Sequence, residues 1–407
     1  MRTTNKGENT MKSTQVIVAG AGPVGTVAAY RLATMGFDVM LCEAGPNCAI
    51  DLRASTFHPP TLEMLDELGI AETLIARGLK APKYHFRERS SGEVVEFDLS
   101  ELEGEEKFPY RLQCEQHVLA SMLAEKLEAH PKAEVKFSHR VVHFEQTDDG
   151  VEVALEGPFE IEKVKAKYLV AADGGNSIIR KWLGVEFEGF TYPEKFLTLS
   201  TKTELKDYIP DLEYVNYVSD PKEWMVLLRV PSVWRILVPA PADQPDEYIL
   251  SDEKKNQVFR DLIGREDIET EHRTIYRVHQ RVAKQFNHGR VCLVGDACHM
   301  NNPLGGFGMN SGIHDAWNLC DKIYKNLTEG HDDENFALYD RQRRPVTHSF
   351  IQAQTIQNKK LLEHSPEENH DMRLQEMRDT RDDPVKRKAF LRRQAMYASL
   401  DQERSIK

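Results

Sequence analysis

The sequence predicts an α/β protein in which a parallel sheet with helices is joined to a second, mixed sheet and to a helical C-terminal region. Three observations carry this expectation. First, short apolar runs recur that read as strands buried on both faces: Gln15 to Ala19 (QVIVA), Tyr168 to Ala172 (YLVAA) and the VCLV ending at Val294. Second, each run is followed by a glycine-containing turn and then by a helix-like stretch. Third, between Gly184 and His279 the pattern changes to short strands rich in aromatic residues, unlike further βαβ units.

The first of these units is the most detailed. QVIVA leads into GAGPVG, in which Gly20, Gly22 and Gly25 make GxGxxG around Pro23 and Val24. The stretch TVAAYRLATMG then stops at Gly36, and DVMLCE ends in Glu43. Glycines in such a turn let backbone approach a ligand closely, and the N-terminus of the helix behind them offers free N–H groups to a pyrophosphate. Glu43 is placed to accept hydrogen bonds from ribose hydroxyls. Strand, glycines, helix, strand and acid in this order predict a Rossmann-like dinucleotide site, with NAD and FAD both open.

Two later segments choose between them. Tyr168–Ala172 is followed by Asp173-Gly174, with Ser177 and Arg180 opening a helix. VCLV is followed by Gly295-Asp296, the loop CHMNNPLGGFG, and another helix. A simple nicotinamide dehydrogenase has no use for two more acid-and-glycine turns. FAD does, because its ribityl chain and pyrophosphate need further donors and acceptors.

With these motifs in order, the sequence resembles the single-component flavin aromatic hydroxylases, the class A monooxygenases that include para-hydroxybenzoate hydroxylase. The resemblance covers roughly residues 14 to 345. It implies that Asp296 hydrogen-bonds the ribityl hydroxyls, that Asp173 and Gly174 lie near the pyrophosphate and the way in for the nicotinamide nucleotide, and that Pro303 lies beside the reactive edge of the flavin. Arg53 matches a family arginine near the pyrophosphate, and Gln116 matches a family glutamine on FAD, with Gln113 as the other register. Two departures are visible: Asn302-Pro303 where Pro-Pro is common, and Phe307 where a polar residue is usual. The helix is expected to begin near Asn310. N–H groups of about Met309 and Asn310 would then stabilise negative charge on the reduced flavin, while Gly306 and Gly308 let backbone lie against the ring. His314 and Trp317 read as packing residues.

The resemblance further implies chemistry. FAD is held non-covalently, NADH or NADPH delivers hydride, and O2 adds at the flavin C4a to give a hydroperoxide. One oxygen then passes to a small aromatic or heteroaromatic, phenol-like ring. The alternatives on the same scaffold are an isoprenoid reductase or epoxidase, or a flavin-binding scaffold without turnover.

The resemblance also implies that the mixed sheet covers the flavin and forms the substrate site. EWMVLLRVPSVWRILVPAP reads as a hairpin turning at Pro231, Ser232 and Val233, which would set Val230 opposite Trp234 and Arg229 opposite Arg235. Like charges directly opposite are destabilising, so the pairing asks for an anion, an acidic neighbour or water. Arg229 or Arg235 is thus a candidate for a substrate carboxylate or phenolate. Tyr217, Trp224 and Pro303 are further candidates for substrate contacts, and no catalytic base is identifiable.

The expected division is a discontinuous FAD-binding domain over 14–80, 111–184 and 280–345, a substrate-binding sheet over 81–110 and 185–279, and a helical region over 346–407. The last segment is rich in charge and punctuated by Pro366 and Pro384, and reads as two or three surface helices with solvated faces. The N-terminal MRTTNKGENTMK has no apolar segment behind its charges and reads as a disordered leader up to about Met11.

Bulk properties set outer limits. A net charge of −12 over 407 residues argues against nucleic acid or an anionic membrane as a general partner, and no apolar run is long enough to span a bilayer. The six cysteines contain no CxxC pair, so free thiols in a reducing cytoplasm are expected, and Cys298-His299 lacks the spaced ligands of a metal site. A monomer or homodimer is expected.

Overall fold

The computed structural model describes residues 11–50, 54–363 and 370–407. The leader, Arg53 and Pro366 therefore lie outside the described residues. A six-stranded sheet runs in the order Asn287–His288, Val291–Leu293, Tyr168–Ala171, Val16–Ala19, Val39–Cys42, Ala133–Lys136. Its five larger strands are parallel, and Asn287–His288 joins the edge antiparallel. Residues 16–19 and 39–42 are buried throughout, which is why their sequences show unbroken apolar runs rather than alternation.

The helices Pro23–Thr34, Gln116–Glu128 and Phe307–Glu329 pack as a group, with Pro23–Thr34 touching both others. Pro23 occupies a first-turn position where its missing N–H costs nothing.

The second sheet has eight strands, in the order His299–Met300, His272–Ala283, Phe187–Thr201, Trp234–Ala240, Met225–Arg229, Val215–Ser219, Lys83–Glu88, Glu93–Asp98. All neighbours are antiparallel except Val215–Ser219 beside Lys83–Glu88, so the sheet is mixed, as expected. Two smaller sheets complete the β structure. One joins Thr56–Phe57, Arg111–Gln113 and Leu79–Ala81; the other joins Lys12–Ser13, Ile161–Ala166, Gly150–Glu156 and Arg140–Thr147.

The hairpin is present but its expected register is wrong. The Val230 N–H donates to the Val233 carbonyl at 3.0 Å, which leaves only Pro231 and Ser232 in the turn. Arg229 therefore faces Trp234, and Leu228 faces Arg235. A two-residue loop in place of three moves every partner by one position and puts the two arginines on opposite faces.

The C-terminal segment also differs from expectation. After a π-helical turn over Thr347–Gln352 come the helices Ala353–Leu362, His370–Asp382, Pro384–Gln394 and Tyr397–Ser405. They are not merely solvated: Leu391, Ala395, Met396, Tyr397 and Leu400 are buried. Much of the charge run is spent on ion pairs with the Glu93–Glu106 stretch. Arg378 meets Glu93, Arg387 meets Glu101 at 2.7 Å, Lys388 meets Glu105 at 2.5 Å, and Arg392 meets Glu106.

Candidate active site

Three of the parallel strands, Val291–Leu293, Tyr168–Ala171 and Val16–Ala19, are immediate neighbours. Their C-terminal ends therefore bring the turns at Gly295, Asp173 and Gly20 side by side, where open α/β sheets bind ligands. The corners touch. A Cβ on Gly20 (φ +106°) would lie 2.3 Å from the Ala172 carbonyl oxygen, and one on Gly25 would lie 1.9 Å from the Gly20 carbonyl oxygen. Glu43 ties the first corner to its own strand end by accepting from the Ala21 N–H at 2.7 Å and the Gly45 N–H at 2.8 Å.

A cavity of about 370 Å3 opens from these corners to the inner face of the eight-stranded sheet. Asp296 is its one acidic lining residue among those described, against Arg235 and Arg277. A Cβ on Gly22 or Gly174 would meet nothing within 4 Å, so backbone is bare to the cavity at both places.

The loop after Met300 forms the floor. Gly306 (φ +70°) is the N-cap, and the helix begins at Phe307, three residues before the expected start. The free N–H groups of its first turn accordingly belong to Phe307, Gly308 and Met309. Asn310 plays a different part, through its side chain: Nδ2 donates to the Thr56 and Gly306 carbonyls at 2.8 and 2.7 Å, and Oδ1 accepts from the His58 N–H at 2.9 Å. Both departures from the family pattern have local reasons. Asn302 donates its backbone N–H, which proline lacks, to Gln280 Oε1 at 3.0 Å, and its side chain donates to the Thr355 carbonyl. Phe307 is fully buried and stacks on the His58 ring, with centroids 5.2 Å apart. Burial, with Arg111 nearby, holds His58 well below the usual histidine range, so it is neutral, and its Nε2 lies 2.7 Å from the Gly305 carbonyl oxygen.

The family model for the FAD binding domain matches residues 13–354. This chain belongs to that FAD-binding family. It is similar to the para-nitrophenol 4-monooxygenase of Pseudomonas sp. (strain WBC-3), with 29% identity over 82% of this chain and 84% of the relative. It is 32% identical to the 6-hydroxy-3-succinoylpyridine 3-monooxygenase of Pseudomonas putida (strain DSM 28022 / S16), over 86% of this chain and 89% of the relative. The crystal structure of a p-nitrophenol 4-monooxygenase from Pseudomonas putida DLL-E4 superposes with a TM-score of 0.89 at 26% identity, covering 97% of this chain and 99% of that one. The chain is an FAD-dependent aromatic hydroxylase with NAD(P)H as co-substrate and a small aromatic substrate.

In this FAD-binding protein the residues singled out from sequence fall into two layers. Gly22, Pro23, Val24, Gln116, Gly174, Asp296, Pro303, Gly306, Gly308 and Met309 line the cavity. Gly20, Gly25, Glu43, Asp173, Gly295 and Asn310 stand behind that lining; Asp173, for example, accepts from the Ile178 and Ile179 N–H groups at 2.9 and 3.2 Å. Gln113 is buried and accepts from Thr56 Oγ1 at 3.0 Å.

Of the substrate candidates, Tyr217, Arg235 and Pro303 line the cavity. Trp224 packs edge-on against Phe196 in the core, and Arg229 pairs with Glu204 at 3.6 Å on the other face of the sheet. Neither reaches the cavity, because of strand parity in one case and core packing in the other. His314 and Trp317 pack as expected: His314 Nε2 lies 3.0 Å from Thr61 Oγ1, and the Arg31 guanidinium lies 3.6 Å from the Trp317 ring centre.

Sequence reasoning missed Ser55, Thr56, Tyr276 and His279 in the lining and His58 and Arg111 beside it. None belongs to a motif, and only the pairing of distant strands brings them here. Cys298, His299 and Asp315 also meet, but the Asp315 carboxylate is engaged by Arg343, and the cluster braces the third corner. Among the described residues no helix is long and apolar enough to cross a membrane.

Proposed function

We propose that the cavity holds FAD along its three-cornered side and a small, electron-rich phenolic ring against Tyr217 and Arg235, with the ring carrying an anionic or strongly polar oxygen. The observation that carries this reading is the buried Arg235, whose Nη1 donates to Ser55 Oγ at 3.2 Å at the cavity wall. The names of the two relatives fit it: each acts on a hydroxylated aromatic ring with a second polar substituent.

Residues present suit FAD. Gly22 and Gly174 leave room for close approach, the helices at Pro23 and Phe307 present first-turn N–H groups, and Asp296 is an acceptor facing the cavity. Bound FAD, reduced by NADH or NADPH, supplies activation of O2 and transfer of one oxygen atom to the ring. The chain supplies the rest. The Phe307 helix terminus places positive potential where negative charge collects. Arg235 and Tyr217 orient the ring, and Val226, Leu228 and Leu237 exclude water.

In this reading residues 14–80, 111–184 and 280–345 form the cofactor-binding unit, 81–110 and 185–279 the substrate-binding unit, and 346–407 a helical brace, in a cytoplasmic monomer or homodimer. The test is NAD(P)H oxidation by the FAD-loaded protein with a panel of nitrophenols, hydroxybenzoates and hydroxypyridines, alongside peroxide release. Stimulation with little peroxide is expected. An oxidation rate that no aromatic changes would end the proposal.

A further inference from the structure

Along the eight-stranded sheet the cavity ends against a single row of side chains. Thr198, Leu237, Val226 and Tyr217 follow one another as cross-strand partners, and all four line the cavity. Partners across a sheet share a face, and so do residues two apart along a strand. The next row outward is therefore Phe196, paired with Pro239. Trp224, just before the strand Met225–Arg229, joins this row, its ring meeting that of Phe196 edge-on with centroids 5.3 Å apart. Phe196 and Trp224 are 0% and 4% exposed.

Beyond that row the protein opens again. A second hollow of about 1020 Å3 is lined by Trp224, Pro239 and Glu194, and its rim residues Ser90, Lys222 and Asp261 are exposed. Val226 and Leu237 thus face the first hollow, while Trp224 and Pro239, two positions along the same stretches, face the second. Two residues of strand span about 7 Å, so one layer of packed side chains separates the two spaces. Phe196 lines neither and is sealed between them.

The row also lies in line with the anchoring end of the cavity. Arg235, Leu237 and Pro239 alternate along one strand on one face, so a ring whose polar oxygen meets Arg235 directs its opposite substituent at Phe196 and Trp224. A close-packed row yields to added methylenes only by displacing its own side chains. Resting on the reading above, we propose that Phe196 and Trp224 are specificity-determining residues: their paired rings set the length of the substituent that the substrate ring carries opposite its hydroxyl. Opening the pair joins the cavity to the outer groove and admits long-chain phenols.

The experiment measures binding of 4-methylphenol and 4-pentylphenol to the oxidised, FAD-loaded protein by calorimetry, without nicotinamide nucleotide. In the unmodified protein the pentyl compound should bind more weakly by roughly tenfold or more, against its greater apolar surface. Phe196→Ala and Trp224→Ala should reverse that order, and Phe196→Leu, which keeps the core apolar, should move it part of the way. Leu228→Ala enlarges the cavity beside Arg235, away from the row, and should not reverse it. Pentyl binding as tight as methyl binding in the unmodified protein overturns the proposal. So does a ratio unmoved by Phe196→Leu, which keeps the test decisive if the alanine variants fail to fold. An equal shift in Leu228→Ala overturns it as well, because loosening anywhere would then suffice. If 4-methylphenol binds and aromatics stimulate NAD(P)H oxidation while the ratio stays put, only this inference falls; if no phenol binds and none changes the oxidation rate, the functional reading falls with it.

Discussion

Arg343 and Asp315 form an ion pair sealed inside the protein: Nε lies 2.7 Å from Oδ1, and the side chains are 1% and 0% exposed. The other Asp315 oxygen accepts from the Gly295 N–H at 3.2 Å and lies 2.7 Å from His299 Nε2, while Arg343 reaches Glu403 in the last helix at 2.6 Å. One buried pair thus links the glycine corner at Gly295 to the last helix.

Removing either partner leaves a buried charge alone. Asp315→Asn or Arg343→Met should lower stability by about 3–5 kcal/mol in denaturant unfolding and weaken FAD retention. A loss under 1 kcal/mol would show that the cluster is relaxed by other groups.

The same pair predicts a pH dependence. Burial opposes the charge on Asp315, but Arg343 and His299 outweigh it, and the carboxyl sits below its ordinary value of 3.8. A depressed folded pKa gives stability that is fully present above the unfolded value and is lost as pH falls through the folded one. Acid unfolding should therefore steepen below about pH 4, and Asp315→Asn should flatten that limb. Equal slopes in both proteins would place the linkage elsewhere.

Gly22 and Gly25 should part company on substitution. A Cβ at Gly22 meets no protein atom within 4 Å, whereas at Gly25 it falls 1.9 Å from the Gly20 carbonyl oxygen. Gly22→Ala should leave the apoprotein within about 0.5 kcal/mol of wild type yet weaken FAD by roughly tenfold or more, about 1.4 kcal/mol. Gly25→Ala should lose both fold and flavin. Titration of apoprotein with FAD, read by flavin fluorescence, checks the pair, and normal FAD affinity in Gly22→Ala would move the pyrophosphate off this turn.

The register of the hairpin makes Arg235 and Arg229 unequal. Arg235→Met should raise the substrate KM by roughly 10- to 100-fold, the worth of a hydrogen bond to a charged group, with FAD content unchanged. Arg229→Met should leave KM within about twofold, because that side chain is spent on Glu204 across the sheet. Steady-state kinetics decide it; equal effects would contradict the observed pairing.

All six cysteines are free and buried. Burial pushes Cys42, Cys114 and Cys320 up to about 12 and Cys48 to about 11. A thiol reagent at pH 8 should label less than one cysteine per native chain, and all six after denaturation. Rapid native labelling would reveal local opening.

Sequence alone determined the three glycine corners that converge at one end of the cavity. Apolar runs, glycines at turns and acids at strand ends are local signals, and the parallel order of three strands carries them to one edge without further information. The physical reason is that backbone geometry demands glycine at Gly20, Gly25 and Gly306 whatever the rest of the chain does. Even there, the helix start at Phe307 and the pinning role of the Asn310 side chain needed the loop in three dimensions.

Tertiary structure decided the side of the cavity formed by the eight-stranded sheet. Arg235 reaches the cavity and Arg229 does not because one residue fewer in a turn reverses the faces of a strand, and sequence cannot fix that length when Pro-Ser-Val reads equally well as two turn residues or three. Arg111, His58 and Tyr276 carry no motif at all. They meet only because the three-stranded sheet carrying Arg111, the helix cap at His58 and the eight-stranded sheet carrying Tyr276 converge on the same wall, and burial, which gives a charge or a hydroxyl its chemical weight, belongs to the folded chain and not to any stretch of it.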